Sequence, residues 1–203
     1  AACAVVSGLA LLWHAFDGEW QAMLTFVGFG LLALVAAVTY TVGRTPYGYR
    51  GFGDLSVFIF FGLLGVVGTY YLHTRELNLL LLLPATSCGL LATAVLNINN
   101  IRDMQTDRAA GKMTLAVRLG AHWARRYHCA LILGAALLLV PFILVQSQSL
   151  WPWLFLPAYG LLLRTLWVVM TSAEAGRLDK QLKLTALSSL LCNLSLALGF
   201  ALS

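Results

Sequence analysis

A chain of 203 residues that is 60% hydrophobic and only 10% charged, with a mean hydropathy of +0.84, lacks the polar surface a soluble domain requires and reads as a helical bundle in lipid. The net charge of +5 does not indicate nucleic acid, because the basic residues alternate with apolar spans instead of gathering on one soluble face. Cys3, Cys88, Cys129 and Cys192 lie far apart with no C-x-x-C spacing, which indicates neither a zinc site nor a disulfide framework and reads as buried, inert thiols.

Residues 1–13 are apolar from the first position, with neither an initiator Met nor the basic region of a signal peptide. They are expected to be the tail of a span in a chain whose natural N-terminus lies upstream. After a polar turn at 14–19, runs of the roughly 20 apolar residues that a bilayer crossing needs fall at 20–42, 55–72, 77–96, 126–145, 150–171 and 184–203. The expected fold is all-α: one polytopic transmembrane bundle over 1–203, with six full spans plus part of a seventh. Arg44, Arg50, Arg102, Arg108, Lys112, Arg118, Arg125, Arg126, Arg177, Lys180 and Lys183 all fall on one side of that arrangement, against Arg75 alone on the other. This bias assigns the loops at 43–54, 97–124 and 172–183 to the cytoplasm.

The segment 97–124 concentrates the polar chemistry. In helical geometry Asn99, Asp103 and Asp107 are spaced i, i+4, i+8, and Asn100 precedes Asp103 by three, so the four project from one broad face. A helix unbroken from 77 to 107 would be about 46 Å long, which carries its acidic end to the membrane surface. Two carboxylates one turn apart suit Mg²⁺, which is held by one or two carboxylates together with substrate phosphates. Lys112, Arg118 and Arg102 are close enough in sequence to neutralise those phosphates. The competing reading is a solvated helix end with loosely paired charges.

The other polar concentration is 40–54. Its glycines and Pro46 specify turns, Tyr47 and Tyr49 are typical interface anchors, and Arg44 and Arg50 face the same side as Lys112. Asp54 opens a span, where a carboxylate serves either as a helix-terminal partner or in catalysis. His14, His73, His122 and His128 are isolated and read as interfacial or packed. Arg164, inside a span, either meets ligand or snorkels to the interface. Glu174, Arg177, Asp179, Lys180 and Lys183 read as a solvated connection.

The run Asn99-Asn100-Ile101-Arg102-Asp103-x-x-x-Asp107-Arg108-x-x-Gly111-Lys112-x-Thr114-Leu115-x-Val117-Arg118-Leu119-Gly120 resembles the second aspartate-rich motif of the UbiA superfamily of intramembrane aromatic prenyltransferases. Tyr40 to Asp54, with Phe60-Phe61-Gly62, is similar to the members that prenylate 1,4-dihydroxy-2-naphthoate on the way to menaquinone. The resemblance implies nine helices around a cavity in the bacterial cytoplasmic (inner) membrane. Mg²⁺ would be the cofactor, and polyprenyl diphosphate and 1,4-dihydroxy-2-naphthoate the partners. It implies that Asp103 and Asp107 bind the metal with Asn99 or Asn100 in support, and that Lys112, Arg118 and Arg44 contact diphosphate. Tyr40 and Asp54 would stand near the acceptor or the ionising bond. No counterpart of the family's first aspartate motif is present, so these 203 residues alone are expected to be inactive. Another acceptor, such as 4-hydroxybenzoate or homogentisate, keeps the same chemistry. A transporter or lipid-binding protein would instead place its ionisable residues near the bilayer midplane.

Overall fold

A computed structural model describes residues 2–44, 46–172 and 175–203, all folded as helices and short connections with no strand among them. The first two helices, α1 (Ala2–Phe16) and α2 (Trp20–Thr41), form a hairpin. Its turn uses left-handed backbone at Asp17 (φ 34°) and Gly18 (φ 95°). Phe16 is buried at the tip, 5.2 Å from the Phe26 ring, with the Arg75 guanidinium 3.9 Å over its face.

The third span is a composite of α3 (Gly53–Val57), a π-helical stretch Phe58–Leu64, and α4 (Gly65–Thr74). A wider helical turn of this kind shifts the faces on either side of it. Here it brings Gly62 so near α5 (Leu82–Arg102) that a Cβ at Gly62 would stand 2.5 Å from the Gly89 Cα. In lipid, where apolar surface gives no preference for helix over solvent, such small-residue crossings create packing area.

After α5 come a short α6 (Met104–Ala109), then α7 (Leu115–Gln146), α8 (Leu156–Thr171) and α9 (Ala175–Ala201). Leu91 and Ala94 of α5, Ile132 and Leu139 of α7, Leu162 of α8 and Cys192 of α9 belong to the main core, where the Tyr159 hydroxyl donates to the Ile132 carbonyl. A smaller cluster of Ile98, Ile101, Ala116, Ala124, Val169 and Leu178 closes the end that carries the polar segments. There Arg125 donates to the Val169 carbonyl in the last turn of α8.

Among the described residues six helices are long and apolar enough to cross a membrane, as expected, but the edges of several move. The segment expected outside the spans at 97–124 is divided: 97–102 complete α5 and 115–124 open α7, which is interrupted at Gly120 (φ 75°, ψ 164°). The shift arises because Asn97, Asn100 and Thr114 are buried against protein and not exposed to solvent, a distinction hydropathy does not carry. The expectation of uniformly buried thiols is corrected at Cys3, which is exposed; Cys192 is buried and the other two are half-buried, all unpaired.

Candidate functional site

The final turns of α5 set the polar end. Asn97 and Asn100 are buried, and neither amide atom of Asn97 has a hydrogen-bond partner, whereas Asn99 is half-buried. The helix does not run unbroken to 107, because Asp103 leaves helical geometry (φ −92°, ψ 8°) between α5 and α6. Its register nonetheless survives the break. Asp103 N–H donates to Asn99 C=O at 3.0 Å, Asp107 N–H to Asp103 C=O at 2.8 Å, and Lys112 N–H to Asp107 C=O at 2.8 Å. Asn99, Asp103, Asp107 and Lys112 are therefore strung along one edge by consecutive backbone bonds.

Arg102 occupies the centre of this edge. It grips both oxygens of Asp103 (2.7 and 2.8 Å), Asn99 Oδ1 (2.8 Å) and Asp179 Oδ1 on α9 (2.9 Å). The guanidinium hydrogen bonds hold the Asp103 carboxyl below the usual carboxylate range, with Lys112 adding to the effect. This geometry corrects two expectations. Arg102 is a clip between α5 and α9, already paired, and Asp179 is a helix residue that anchors it; Glu174 of the same expected loop lies outside the described residues. Lys112 donates to Asp107 Oδ1 at 3.2 Å. It lies as close to Oδ2 but at an angle that leaves that buried oxygen without a hydrogen bond.

The second polar segment docks directly on the first. Met113 N–H donates to the Tyr49 carbonyl at 2.8 Å, and Lys112 Nζ lies 5.9 Å from the Tyr49 ring centre. Gly51 (φ 87°) brings its backbone so close that a Cβ there would meet Arg118 Nε at 3.1 Å, while Arg118 itself donates to the Met113 carbonyl at 3.1 Å. Gly48 is equally constrained, since a Cβ would stand 2.8 Å from the Tyr40 carbonyl oxygen. Tyr40 packs edge-on against Tyr47 at 5.4 Å, and its hydroxyl lies within electrostatic range of Asp54 and Asp107.

Asp54 is only 5% exposed, and its Oδ2 has no partner. It stands in the first turn of α3, as a helix-terminal carboxylate would, and is at the same time buried within a polar cluster. The Tyr127 side chain of α7 lies beside it, and Thr93 reaches its backbone carbonyl at 3.5 Å.

Six of the sequence-predicted residues thus converge: Asn99, Asp103, Asp107 and Lys112 and, on the segment docked through Tyr49, Tyr40 at the end of α2 and Asp54 at the start of α3. Arg118 is exposed and braces the loop, Asn100 is buried, and Arg44 stays exposed with no ion pair among the described residues. Arg164 is also exposed on α8, with no ion pair among the described residues, while His128 is fully buried with neither ring nitrogen partnered among them. Below Asn99 a groove of about 610 Å³ opens between α5 and α9.

The model of the UbiA prenyltransferase family matches residues 1–198. The chain belongs to the UbiA prenyltransferase family. It is 49% identical over 201 residues to 1,4-dihydroxy-2-naphthoate octaprenyltransferase of Escherichia coli, covering 98% of this chain and 64% of the relative. Against the Haemophilus influenzae protein of the same description it is 47% identical, covering 96% and 63%. The human UbiA prenyltransferase domain-containing protein 1 is 37% identical over 97 residues, which is 48% of this chain and 28% of that protein. The chain thus spans somewhat under two thirds of the length of the two bacterial relatives. No solved structure matches it.

UbiA prenyltransferases generally depend on a divalent metal, and the residues here fit one. Asp107 offers a buried oxygen with no hydrogen bond, and Asp103 is kept ionised one turn away. No group of three His, Cys, Asp or Glu side chains forms among the described residues. Two carboxylates, completed by substrate phosphates and water, match the demands of a small hard cation. Tyr127 and Asp179 were missed from sequence. An aromatic in an apolar helix and an acid in a mixed-charge run each carry no signal of a distant partner.

Proposed function

We propose that the protein carrying this chain transfers a polyprenyl group from polyprenyl diphosphate to 1,4-dihydroxy-2-naphthoate, with release of the ring carboxylate as CO₂, giving demethylmenaquinol and diphosphate. The observation that carries this reading is the docking of the Asp103–Asp107 edge onto the Tyr40–Asp54 loop through Tyr49 and Met113. The likeness to two bacterial octaprenyltransferases supports the choice of acceptor. Residues 1–203 act as part of one transmembrane domain in the bacterial cytoplasmic membrane. The lysine and arginine bias supports a cytoplasmic position for the polar end.

Asp103 and Asp107 would hold Mg²⁺, which when bound supplies positive charge at the diphosphate oxygens. Lys112, with Arg118 and Arg44 at the exposed rim, adds fixed cationic charge where negative charge grows on the departing diphosphate. Asn99 orients this edge through Arg102, and buried Asn100 supports the turn behind it. As the allylic C–O bond ionises, the electron-rich ring captures the cation, and the aliphatic helix faces exclude the water that would otherwise quench it. Asp54, with Tyr127 and Tyr40 beside it, would accept the proton of a ring hydroxyl and return it as the quinol forms.

The test is prenyl transfer by membranes containing the gene product, with labelled octaprenyl diphosphate, Mg²⁺ and either naphthoate or 4-hydroxybenzoate. Product from naphthoate, abolished by chelation, is expected. Prenylation of 4-hydroxybenzoate alone would overturn the choice of acceptor, and transfer to neither would overturn the reading.

A further inference from the structure

Helix α2 makes its main contacts with α1, across the hairpin turn, and with the Tyr47–Arg50 turn at its other end, and no residue of it is buried. Between those ends a cleft separates it from the third span. Three cavities of about 400, 380 and 550 Å³ lie in series along the cleft. The first has Tyr40, Ala37 and Ala36 on its α2 side and shares Ala33, Phe60 and Phe61 with the second. The second adds Gly30 and Gly65 and shares Phe26, Phe29, Leu64 and Gly68 with the third. Cavities with common walls make one track, which follows α2 from Tyr40 to Ala22, a rise of about 27 Å. That is nearly the ~30 Å depth of the hydrocarbon core. At the far end the Phe26 ring stacks on Tyr71 at 5.7 Å.

Two properties of the track point to its occupant. It starts at the reacting edge, because Tyr40 lines its mouth and the Tyr40 hydroxyl is within electrostatic range of Asp54 and Asp107. Its walls also ask for no hydrogen bond. Thr25 and Thr69 turn their hydroxyls onto the Gln21 and Gly65 carbonyls of their own helices at 2.8 and 2.6 Å, and Ser56 is paired with Tyr47 at 2.9 Å. The groove between α5 and α9 differs on both counts, since it carries Asn99, Ser189 and Asn193 and reaches neither Tyr40 nor Asp54. Lipid is as apolar as the walls of the track, so apolarity alone would not draw a free chain out of the bilayer. A chain whose charged head is fixed at the acidic edge is a different case. It is already tethered at the mouth, and packing along the track then orients its first carbons and the bond that breaks.

We propose that the cleft between α2 and the third span holds the isoprenoid tail of the prenyl donor, which enters beside Tyr40 and Ala37 and runs past Gly30 toward Phe26 and Tyr71. The inference rests on the prenyl-transfer reading for its ligand, but the test reads where the tail lies and needs no acceptor. The gene product in lipid nanodiscs with Mg²⁺ is given geranylgeranyl diphosphate carrying a diazirine at the end of its tail, then irradiated, and the labelled residues are mapped by peptide mass spectrometry. Labelling is expected within 22–30 and 64–72, whereas a geranyl analogue should mark 33–40 and 56–61. A Cβ at Gly30 meets nothing within 4 Å, so a ring there extends into the second cavity without disturbing its neighbours. Gly30→Phe should therefore cut the deep labelling about tenfold, the cost of placing ring and tail in one space. Labelling by the geranyl analogue should stay within about twofold. Leu31→Phe, exposed and off the track, should change neither, and thermal unfolding checks that each variant is folded.

Labelling of the unsubstituted protein on the α5–α9 groove, labelling of bilayer lipid alone, or equal loss with both tails in folded Gly30→Phe protein would each overturn the inference. Labels along the track without any prenylated naphthoate in the transfer assay would leave the tail site standing and sink the proposed reaction. Transfer to naphthoate with the tail mapped elsewhere would do the reverse.

Discussion

Helices α2 and α5 are each long and apolar enough to span a bilayer, yet α2 has no buried residue and α5 has ten. The difference lies in which residues interrupt the apolar run. On α5, Ala85, Ser87, Gly89, Thr93, Asn97 and Asn100 make up much of the buried face, and the helix packs on the π-helical segment, α7 and α9. On α2, Leu24, Leu31, Leu32, Val35 and Val38 point outward. Apolarity places a helix in lipid but gives it no reason to leave lipid for another helix; since α2 also carries small residues (Gly28, Gly30, Ala33, Ala36, Ala37), what sets α5 apart is its buried polar residues. The same polar residues that pack α5 also lead to the acidic edge, so packing and site share one helix.

The sharpest way to break this contrast is at the acidic edge. Asp107→Asn should lower prenyl transfer at least about a hundredfold, as expected for an electrostatic partner of the leaving group. Leu31→Ala on α2 should leave the rate within about twofold. Labelled transfer in membranes measures both.

Next in size is a single methyl group. Gly62→Ala places a Cβ 2.5 Å from the Gly89 Cα and should destabilise by about 1–3 kcal/mol through forced separation of the helices. Gly28→Ala on α2 meets nothing within 4 Å. It should be neutral or stabilising by about 0.5–1 kcal/mol through helix propensity. Thermal unfolding in one detergent compares the two, and equal effects would dissolve the contrast.

A smaller effect concerns pH. Because Arg102 depresses the folded-state pKa of Asp103, that carboxylate contributes stability that is complete above its unfolded value near 3.9 and is lost as pH falls through the lower folded value. Arg102→Gln should remove this contribution, so its destabilisation is fully expressed at neutral pH, modest because the pair is partly solvated, and shrinks as pH falls below about 3.9. Unfolding midpoints collected between about pH 3 and pH 7 check the direction.

Several features were legible before any coordinates. The one-turn spacing of Asn99, Asp103 and Asp107 holds in three dimensions, whereas Lys112, expected on phosphate, rests on Asp107. The break at Asp103 left no mark in composition, since its N–H still reaches Asn99 and the helical bond pattern continues through it. Asp54 was visible as an isolated acid at the start of a span, but its burial under Tyr127 depends on α7, which begins some 60 residues later.

The sequence by itself determined that this chain crosses lipid as helices, because each span is a local property of about 20 consecutive residues, and it determined the family through two long polar motifs. Only the tertiary structure decided which spans touch and which charges are free. Arg102 is spent on Asp179, 77 positions away, and Tyr49 is joined to Met113. Lipid presents the same environment to every apolar face, so the choice among them falls to close backbone approach and to polar groups that must find partners. Both depend on residues far apart in the chain.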